Sequence, residues 1–501
     1  MTGFLSRLLG RKPARRAPVT VRGYDAAKDS QFLQGWNGDM GVSANMVRAE
    51  LPAVRAKVRN LSYNEPLVQR ALQLYRANII GPNGIKFTAD VPDASGGVDL
   101  DASDRLEKAW RLWSETPGWC DLEGRNTLTG ILHEACDSLM RDGEALMALH
   151  SGADNPFGFS VRLLRPDALA TDLVRPSSQG SPAILNGVEV NADGRALAYH
   201  LYTKVSTSGV YHGRTVRVPA GRVLHVFRRD YPGATRGFPV FASVAGLLKM
   251  LSAYREAETV AARLGAMRSG GTYELDSGAL DPSQIASVED GGLFQNVQAG
   301  EIRIAPYGYH YQPDTTPAHP NAAYGTFVKT LLQQMASGLN LSYNTLASDL
   351  EGVSYSSIRS GVLEDRESYK VVQELFISSV LRPLFRRPGA WLDCWLLKGG
   401  GGFSVADADR LRAADTWLPR RWPWVDPLKD QTAHEIAVAH GWESDSDVAA
   451  ESGKDYWDNV ATMRQERDWR RRCGVDEPPK RAAGTETPDD AADRESAKEG
   501  Q

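Results

Sequence analysis

The strongest constraint on this chain is a pair of helical stretches separated by an insertion that cannot be helical. From Val240 to about Met267, Leu247, Leu248, Leu251 and Tyr254 give one apolar face, and the second half is richer in charge and alanine. Ser269-Gly270-Gly271 breaks the stretch, and residues 272–317 form a small mixed segment rich in Gly, Pro and Tyr, with a strand candidate at Glu301 to Ala305. Helix resumes from about Ala322 to Leu339. After a polar segment, Asn340 to Val353, a further helix is expected over Ser354 to Arg382. It aligns Ile358, Val362, Tyr369, Val372, Phe376 and Val380, and Pro383 should end it.

The first half of the chain reads differently. Asn64 to Ile80 is a helix with Pro66 in its first turn, Asn64 as its cap and Gly81-Pro82 as its stop. Further helices are expected over Ser103 to Glu115, with Leu106, Trp110 and Trp113 on one face, and over Thr127 to Met140. Asp142-Gly143 then turns the chain into a strand at Glu144 to Leu149. Phe159 to Leu164 and Val223 to Phe227 read as strands, and Val188 to Asn191 and Ala196 to Tyr202 flank a hairpin turn at Asp193-Gly194. Helices followed by short antiparallel strands indicate an α+β fold. Gly399 to Gly402 reads as a flexible joint, and residues 420–474 carry two or three more helices.

A chain of 501 residues calls for two to four core-bearing units. The net charge of −4 excludes a generally basic nucleic-acid binder, so any DNA contact must be local. Cys120, Cys136, Cys394 and Cys473 lie far apart, which argues against a thiolate zinc site and a disulfide framework. No apolar run is long enough to span a membrane. Met1 to Tyr24 holds six basic residues and no acid; it reads as a solvated arm, too interrupted for a secretory signal, with a transit peptide as the alternative. The tail from residue 475 is acidic and nearly free of large apolar residues, so disorder is expected there.

Enzyme signatures are missing. There is no Walker phosphate loop and no nucleophile elbow. His434-Glu435 invites a zincin reading, but the next histidine, His440, falls about 240° round the helix. His133-Glu134-Ala135-Cys136 reads as a packing cluster. No catalytic residue, cofactor or metal is expected.

Several separated stretches resemble the lambda family of phage portal proteins. They are Asn64-Glu65-Pro66-Leu67 with Ile80-Gly81-Pro82-Asn83-Gly84, then Arg141-Asp142-Gly143-Glu144-Ala145, then Asn186-Gly187-Val188-Glu189-Val190 through Gly194-Arg195 to Tyr199-His200. His225 with Thr235-Arg236-Gly237-Phe238-Pro239, Ser354-Tyr355-Ser356-Ser357-Ile358-Arg359, and Trp422-Pro423-Trp424-Val425-Asp426-Pro427-Leu428-Lys429 follow in order. Each piece is weak alone, and their order over residues 50–474 carries the resemblance.

The resemblance implies a portal fold with an α/β wing, two stem helices bracketing a small α/β clip, and a helical C-terminal crown. Residues 1–30 would be the basic flexible arm, 31–239 the wing, 240–268 and 319–339 the stem helices, and 269–318 the clip. The channel loop would be 340–353, the return helix and wing 354–419, the crown 420–474 and the disordered tail 475–501. It further implies a closed ring, of twelve copies, at the capsid vertex of a virion assembled in the host cytoplasm. Double-stranded DNA would pass the channel; the partners would be the terminase large subunit, head-completion or adaptor proteins, and the major capsid and scaffold proteins, with no membrane.

In that scheme Asn344, Ala347, Ser348, Asp349, Leu350, Glu351 and Gly352 would face the channel, Arg255, Arg263 and Lys329 would belong to the stem, and Tyr273, Phe294, Tyr307 and Tyr309 to the docking clip. A formal −4 per chain would sum to roughly −48 round a ring of twelve, letting DNA slide rather than stick. Two other readings compete: an enzyme acting on nucleic acid, and a monomeric adaptor working through its basic arm.

Overall fold

The computed structural model describes residues 43–266 (save 94, 179, 180 and 208), 271–275, 309–313, 323–351, 355–422 and 427–474. In chain order the helices begin with α1 Ala44–Asn64 and α2 Pro66–Tyr75, which runs on into a wide π turn at Arg76–Ile80. Strand β1 Lys86–Ala89, helices α3 Leu100–Glu115, α4 Pro117–Cys120 and α5 Leu128–Asp142, and strands β2 Glu144–Ser151 and β3 Phe159–Leu164 follow. Four strands, β4 Ala183–Leu185, β5 Val188–Val190, β6 Ala196–Val205 and β7 Tyr211–Pro219, form a meander, after which β8 Val223–Phe227 returns to pair with β2.

The second half comprises α6 Ala245–Ala266, β9 Gly271–Leu275, β10 Tyr309–Pro313, α7 Tyr324–Gly338, α8 Tyr343–Ala347 and α9 Tyr355–Phe376. A second π turn, Ile377–Leu381, precedes α10 Arg382–Arg386; then come α11 Trp391–Leu397, α12 Ala408–Arg412, β11 Asp415–Leu418, α13 Pro427–Ala439, α14 Asp445–Glu451 and α15 Tyr456–Arg472. Short antiparallel sheets among many helices make this an α+β fold. No helix among the described residues is long and apolar enough to cross a membrane.

The main core is aromatic. Trp110 on α3 meets Trp113, Phe87, Phe385, Trp391 and Trp417 with ring centroids 5.0–5.9 Å apart, so α3, β1, α10, α11 and β11 share one interior. Residues near position 90 and near 415 thus close on each other through the β1–β11 pair. A smaller core of Leu146, Leu169, Val188, Val190, Tyr199 and Val223 lies under the four-stranded meander.

Helices α6 and α7 pack together, with Tyr254 stacked on Tyr324 at 5.7 Å and edge-on to Phe327 at 5.2 Å. A side chain at Gly338 would sit 2.6 Å from Val244 Cγ1, so the base of the helix pair needs glycine there.

The structure corrects several sequence expectations. Asn64 ends α1 rather than capping α2; Glu65 takes the cap position without a side-chain bond. Helix α1 itself was not anticipated, because Pro52 and a mixed pattern blur its period. Pro383 does not end the long helix: the π turn resets the ladder, and Pro383 falls in the first turn of α10, where its missing N–H costs nothing. Gly399 to Gly402 form a packed turn, with positive φ at all four and Gly400 buried against Leu396, rather than a flexible joint. The strand candidate Glu301 to Ala305 lies outside the described residues.

Candidate functional site

Two constellations stand out, one polar and buried, the other partly exposed after α7. The buried one gathers residues that sequence analysis quoted only as scattered motifs. Gly143 ends α5 in the left-handed conformation, and the next residue, Glu144, opens β2 with no exposed surface. Its Oε1 is 2.6 Å from Arg55 Nη2 and is also bonded by Arg236. Its Oε2 accepts from His225 Nε2 at 3.0 Å and from Arg236 Nε at 3.0 Å. Arg55 Nε also donates to the Asp142 carbonyl at 2.7 Å, and Arg236 Nη1 to Thr171 Oγ1 at 2.8 Å and the Asn186 carbonyl at 2.9 Å.

Burial opposes the ionised Glu144, but Arg236 and Arg55, with His225 beside them, outweigh it and hold the carboxyl well below its usual range. Burial lowers His225, and the two arginines add to the effect, so the imidazole stays neutral and donates to Glu144. Gly143 and Gly237 cross main chain to main chain: a Cβ on Gly143 would lie 2.3 Å from Phe238 C, and one on Gly237 2.2 Å from the Gly143 carbonyl oxygen. The cluster therefore ties α1, β2, β8 and the approach to α6 into one joint. With the side chains of Arg55, Glu144, His225 and Arg236 at most 2% exposed and turned on one another, it has no open position for a substrate.

The second constellation begins where α7 ends. Leu339 closes the helix, its carbonyl accepting from buried Tyr75 Oη at 2.5 Å, and Asn340 turns the chain at φ 52°. Leu341 and Leu346 are buried, the second of them within helix α8. The anchor is Asp365, 6% exposed, on α9. Its carboxylate accepts from Ser342 N at 2.7 Å, Ser342 Oγ at 2.8 Å and Thr345 Oγ1 at 2.9 Å. The first half of the polar segment is thus pinned to the core, and among its described residues Ser348, Leu350 and Glu351 are exposed. Ser348 turns at φ 55°, and Leu350 is 64% exposed.

Asp349 folds back. Its Oδ2 accepts from Tyr343 Oη at 2.6 Å and lies 3.9 Å from Lys329 Nζ, which sits 5.4 Å from the Tyr343 ring centroid. The Tyr343 hydrogen bond, with help from the Glu351 amide, lowers the Asp349 carboxyl, and the same bond pushes the Tyr343 phenol up to about 12.

The remaining expected site residues are dispersed. Asn344 and Ala347 lie half-buried in α8, and Glu351 is exposed. Arg255 on α6 bonds Glu65 at 2.8 Å, which joins α6 to the α1–α2 corner, and Arg263 is exposed near the end of α6. Tyr273 and Tyr309 sit on the antiparallel pair β9–β10, opposite Tyr311 and Leu275 respectively. Phe294, Tyr307 and Gly352 lie outside the described residues. Sequence reasoning missed Asp365 and Tyr343. A buried acid within an otherwise amphipathic helix was the available signal for the first.

No group of His, Cys, Asp and Glu among the described residues could hold a metal ion. His434 pairs with Glu443 at 2.7 Å, whereas His440 stacks on Trp442 at 4.9 Å, so the two histidines serve different contacts. His133 Nε2 lies 2.8 Å from the Gly81 carbonyl, and Cys136 is fully buried.

A profile for the family described as "Phage portal protein, lambda family" matches residues 29–373. The chain is 32% identical over 454 residues to the "Probable portal protein" of Halomonas phage phiHAP-1, covering 89% of this chain and 86% of that one. It is 24% identical over 504 residues to "Portal protein B" of Escherichia phage lambda, covering 91% of each. Among solved structures, a chain from the virion of a native gene transfer agent particle has a TM-score of 0.42 at 15% identity, covering 80% of this chain and 93% of that one.

Proposed function

Since the chain belongs to the lambda family of phage portal proteins, a structural rather than enzymatic family, we propose that it assembles into a closed ring of twelve at one capsid vertex and forms the channel for double-stranded DNA during packaging and ejection. The observation that carries the channel reading is the segment after α7. Its base is fixed by Asp365, while Ser348 to Glu351 project, as a constriction element must if it is to hold position against a moving duplex. Exposed Met250, Val260 and Phe327 on the α6–α7 pair, with Leu363 and Val371 on α9, support burial against neighbouring copies.

In this reading 31–239 with 354–419 form the wing, α6 and α7 the stem, 269–318 the clip, 340–353 the channel loop and 420–474 the crown. The clip docks the terminase large subunit and later the head-completion proteins, while the outer surface meets capsid and scaffold proteins during assembly in the host cytoplasm. Arg255 serves the stem from inside one subunit through Glu65, whereas Arg263 and Lys329 remain at its surface.

Mass measurement and imaging of the purified full-length protein test the ring; a stable monomer at micromolar concentration would refute it. Charge reversals confined to the clip should leave rings intact and abolish terminase binding. Removal of Ser348 to Glu351 should preserve rings and terminase docking but impair packaging or retention of full-length DNA. Normal filling and retention in that variant would sink the channel-loop assignment.

A further inference from the structure

The juxtaposition that this channel reading leaves unexplained is that Asp349, the acid nearest the projecting tip, does not point its charge outward. Tyr343 holds it from α8, and Lys329 reaches it from α7, one helix earlier in the chain. The three residues form a small closed set. Lys329 lies over the Tyr343 ring and within ion-pair range of the carboxylate, which Tyr343 also bonds. The pieces differ in strength. The tyrosine hydrogen bond is short, at 2.6 Å, whereas the Lys329 contact is at 3.9 Å with its side chain 50% exposed. A cation held so loosely at the surface is the member of the set that an external anion can take.

We propose that Lys329 is a phosphate-binding residue and that Lys329, Tyr343 and Asp349 make a latch on residues 348–351, released when the DNA backbone draws Lys329 away from Asp349. This rests on the channel reading of the segment and adds its regulation. A duplex phosphate is a better partner for the ammonium than a carboxylate already committed to Tyr343 and the Glu351 amide. Once Lys329 leaves, Asp349 keeps only the tyrosine bond and the Glu351 amide, and the tip, joined through the left-handed turn at Ser348, gains freedom. Its base does not follow, because Ser342 and Thr345 stay on Asp365. The loop then clamps an empty channel and yields to an occupied one.

The test is a spin label at Leu350→Cys in the full-length protein. Position 350 is exposed, and the background carries Cys473→Ser because Cys473 is the exposed thiol while Cys120, Cys136 and Cys394 are buried. Without DNA the label should be largely immobile. Linear duplex DNA should lower the ratio of immobile to mobile label roughly three-fold, the scale of one surface ion pair. Inorganic phosphate at the same ionic strength should do much less, because it lacks the density of charge along a duplex.

Lys329→Gln should give the mobile spectrum with or without DNA, while Lys329→Arg should restore the latched one; a merely structural lysine would show neither pattern. An immobile Lys329→Gln tip, or a wild-type tip unaffected by duplex that imaging shows inside the channel, overturns the latch and leaves the channel reading standing. A ring that never admits duplex overturns the channel reading instead. Release by salt alone that depends on Lys329 would then still support the latch.

Discussion

Substitution of Asp365 separates the pinned base of the channel segment from the rest of the fold. In Asp365→Ala the Ser342 amide loses its acceptor in a half-buried site, and Ser342 Oγ and Thr345 Oγ1, 2.6 Å apart, fall back on each other. Re-pairing of the hydroxyls spares most of their share, which leaves one orphaned N–H and a lost charged acceptor, together about 2–3 kcal/mol. Because Leu341 and Leu346 remain apolar and in place, the cost should appear as local opening rather than global unfolding. Amides of residues 341–347 should exchange with deuterium roughly 30- to 150-fold faster, while those of β2 in the core stay unchanged. Asp365→Asn keeps one oxygen for the Ser342 amide and offers an NH₂ to the hydroxyls, so a cost of about 1 kcal/mol and a fold-change near five are expected. Hydrogen-exchange mass spectrometry reads all three proteins. Unchanged exchange over 341–347 in the alanine variant, or equal acceleration throughout the chain, would refute the anchoring argument.

Three further outcomes follow from the same geometry. Glu144→Gln strips the charge that Arg55 and Arg236 share and should destabilise the fold by about 3–5 kcal/mol in chemical denaturation, since two buried guanidinium groups lose their counter-ion. Gly143→Ala drives a Cβ into the Phe238 main chain and forces a non-glycine residue to φ 87°, so insoluble or unassembled protein is expected on expression, whereas Gly152→Ala, strained in φ but open in space, should remain soluble. Burial raises the Glu107 carboxyl to about 7, with Asp458 and Asp455 adding to it, while its Oε1 accepts from Ala89 N at 2.7 Å. A raised folded value favours the folded state below the unfolded value of 4.5, and that advantage is lost as pH climbs through 7. Glu107→Gln should therefore be more stable than wild type at pH 8 by about 1–2 kcal/mol, after discount for partial solvent access, and its denaturation midpoint should change less between pH 5 and 8.

Legibility in the sequence followed how local each cause was. Strands Phe159–Leu164 and Val223–Phe227 were readable to the residue because β-branched and aromatic runs are bounded by turn formers. Helix α5 was readable because Thr127 caps it and Gly143 stops it, both short-range signals. Strand β7 was not: Tyr211 to Pro219 is largely exposed, alternates poorly and exists because β6 lies beside it. The short β1 owes its place to β11, more than 300 residues away. At the candidate site the exposed tip was legible from its polarity, but its anchor was not, since nothing local links Ser342 and Thr345 to an aspartate one helix on. Glu144, Arg236 and His225 were each noticed as pieces of motifs, yet only the fold brings them within hydrogen-bond reach.

The crossing of Gly143 and Gly237 has a mechanical meaning. Where two segments meet through side chains, rotamer changes absorb small displacements before the main chain moves. Here no side chain intervenes, and three residues after Gly237 the chain enters the turn Val240–Ser243 that leads into α6. A push along α6 is therefore delivered to the start of β2, and through Glu144 to Arg55 on α1, with little slack. The joint acts as a stiff strut: the helix pair and the sheet displace together, and compliance is left to the segments beyond α7.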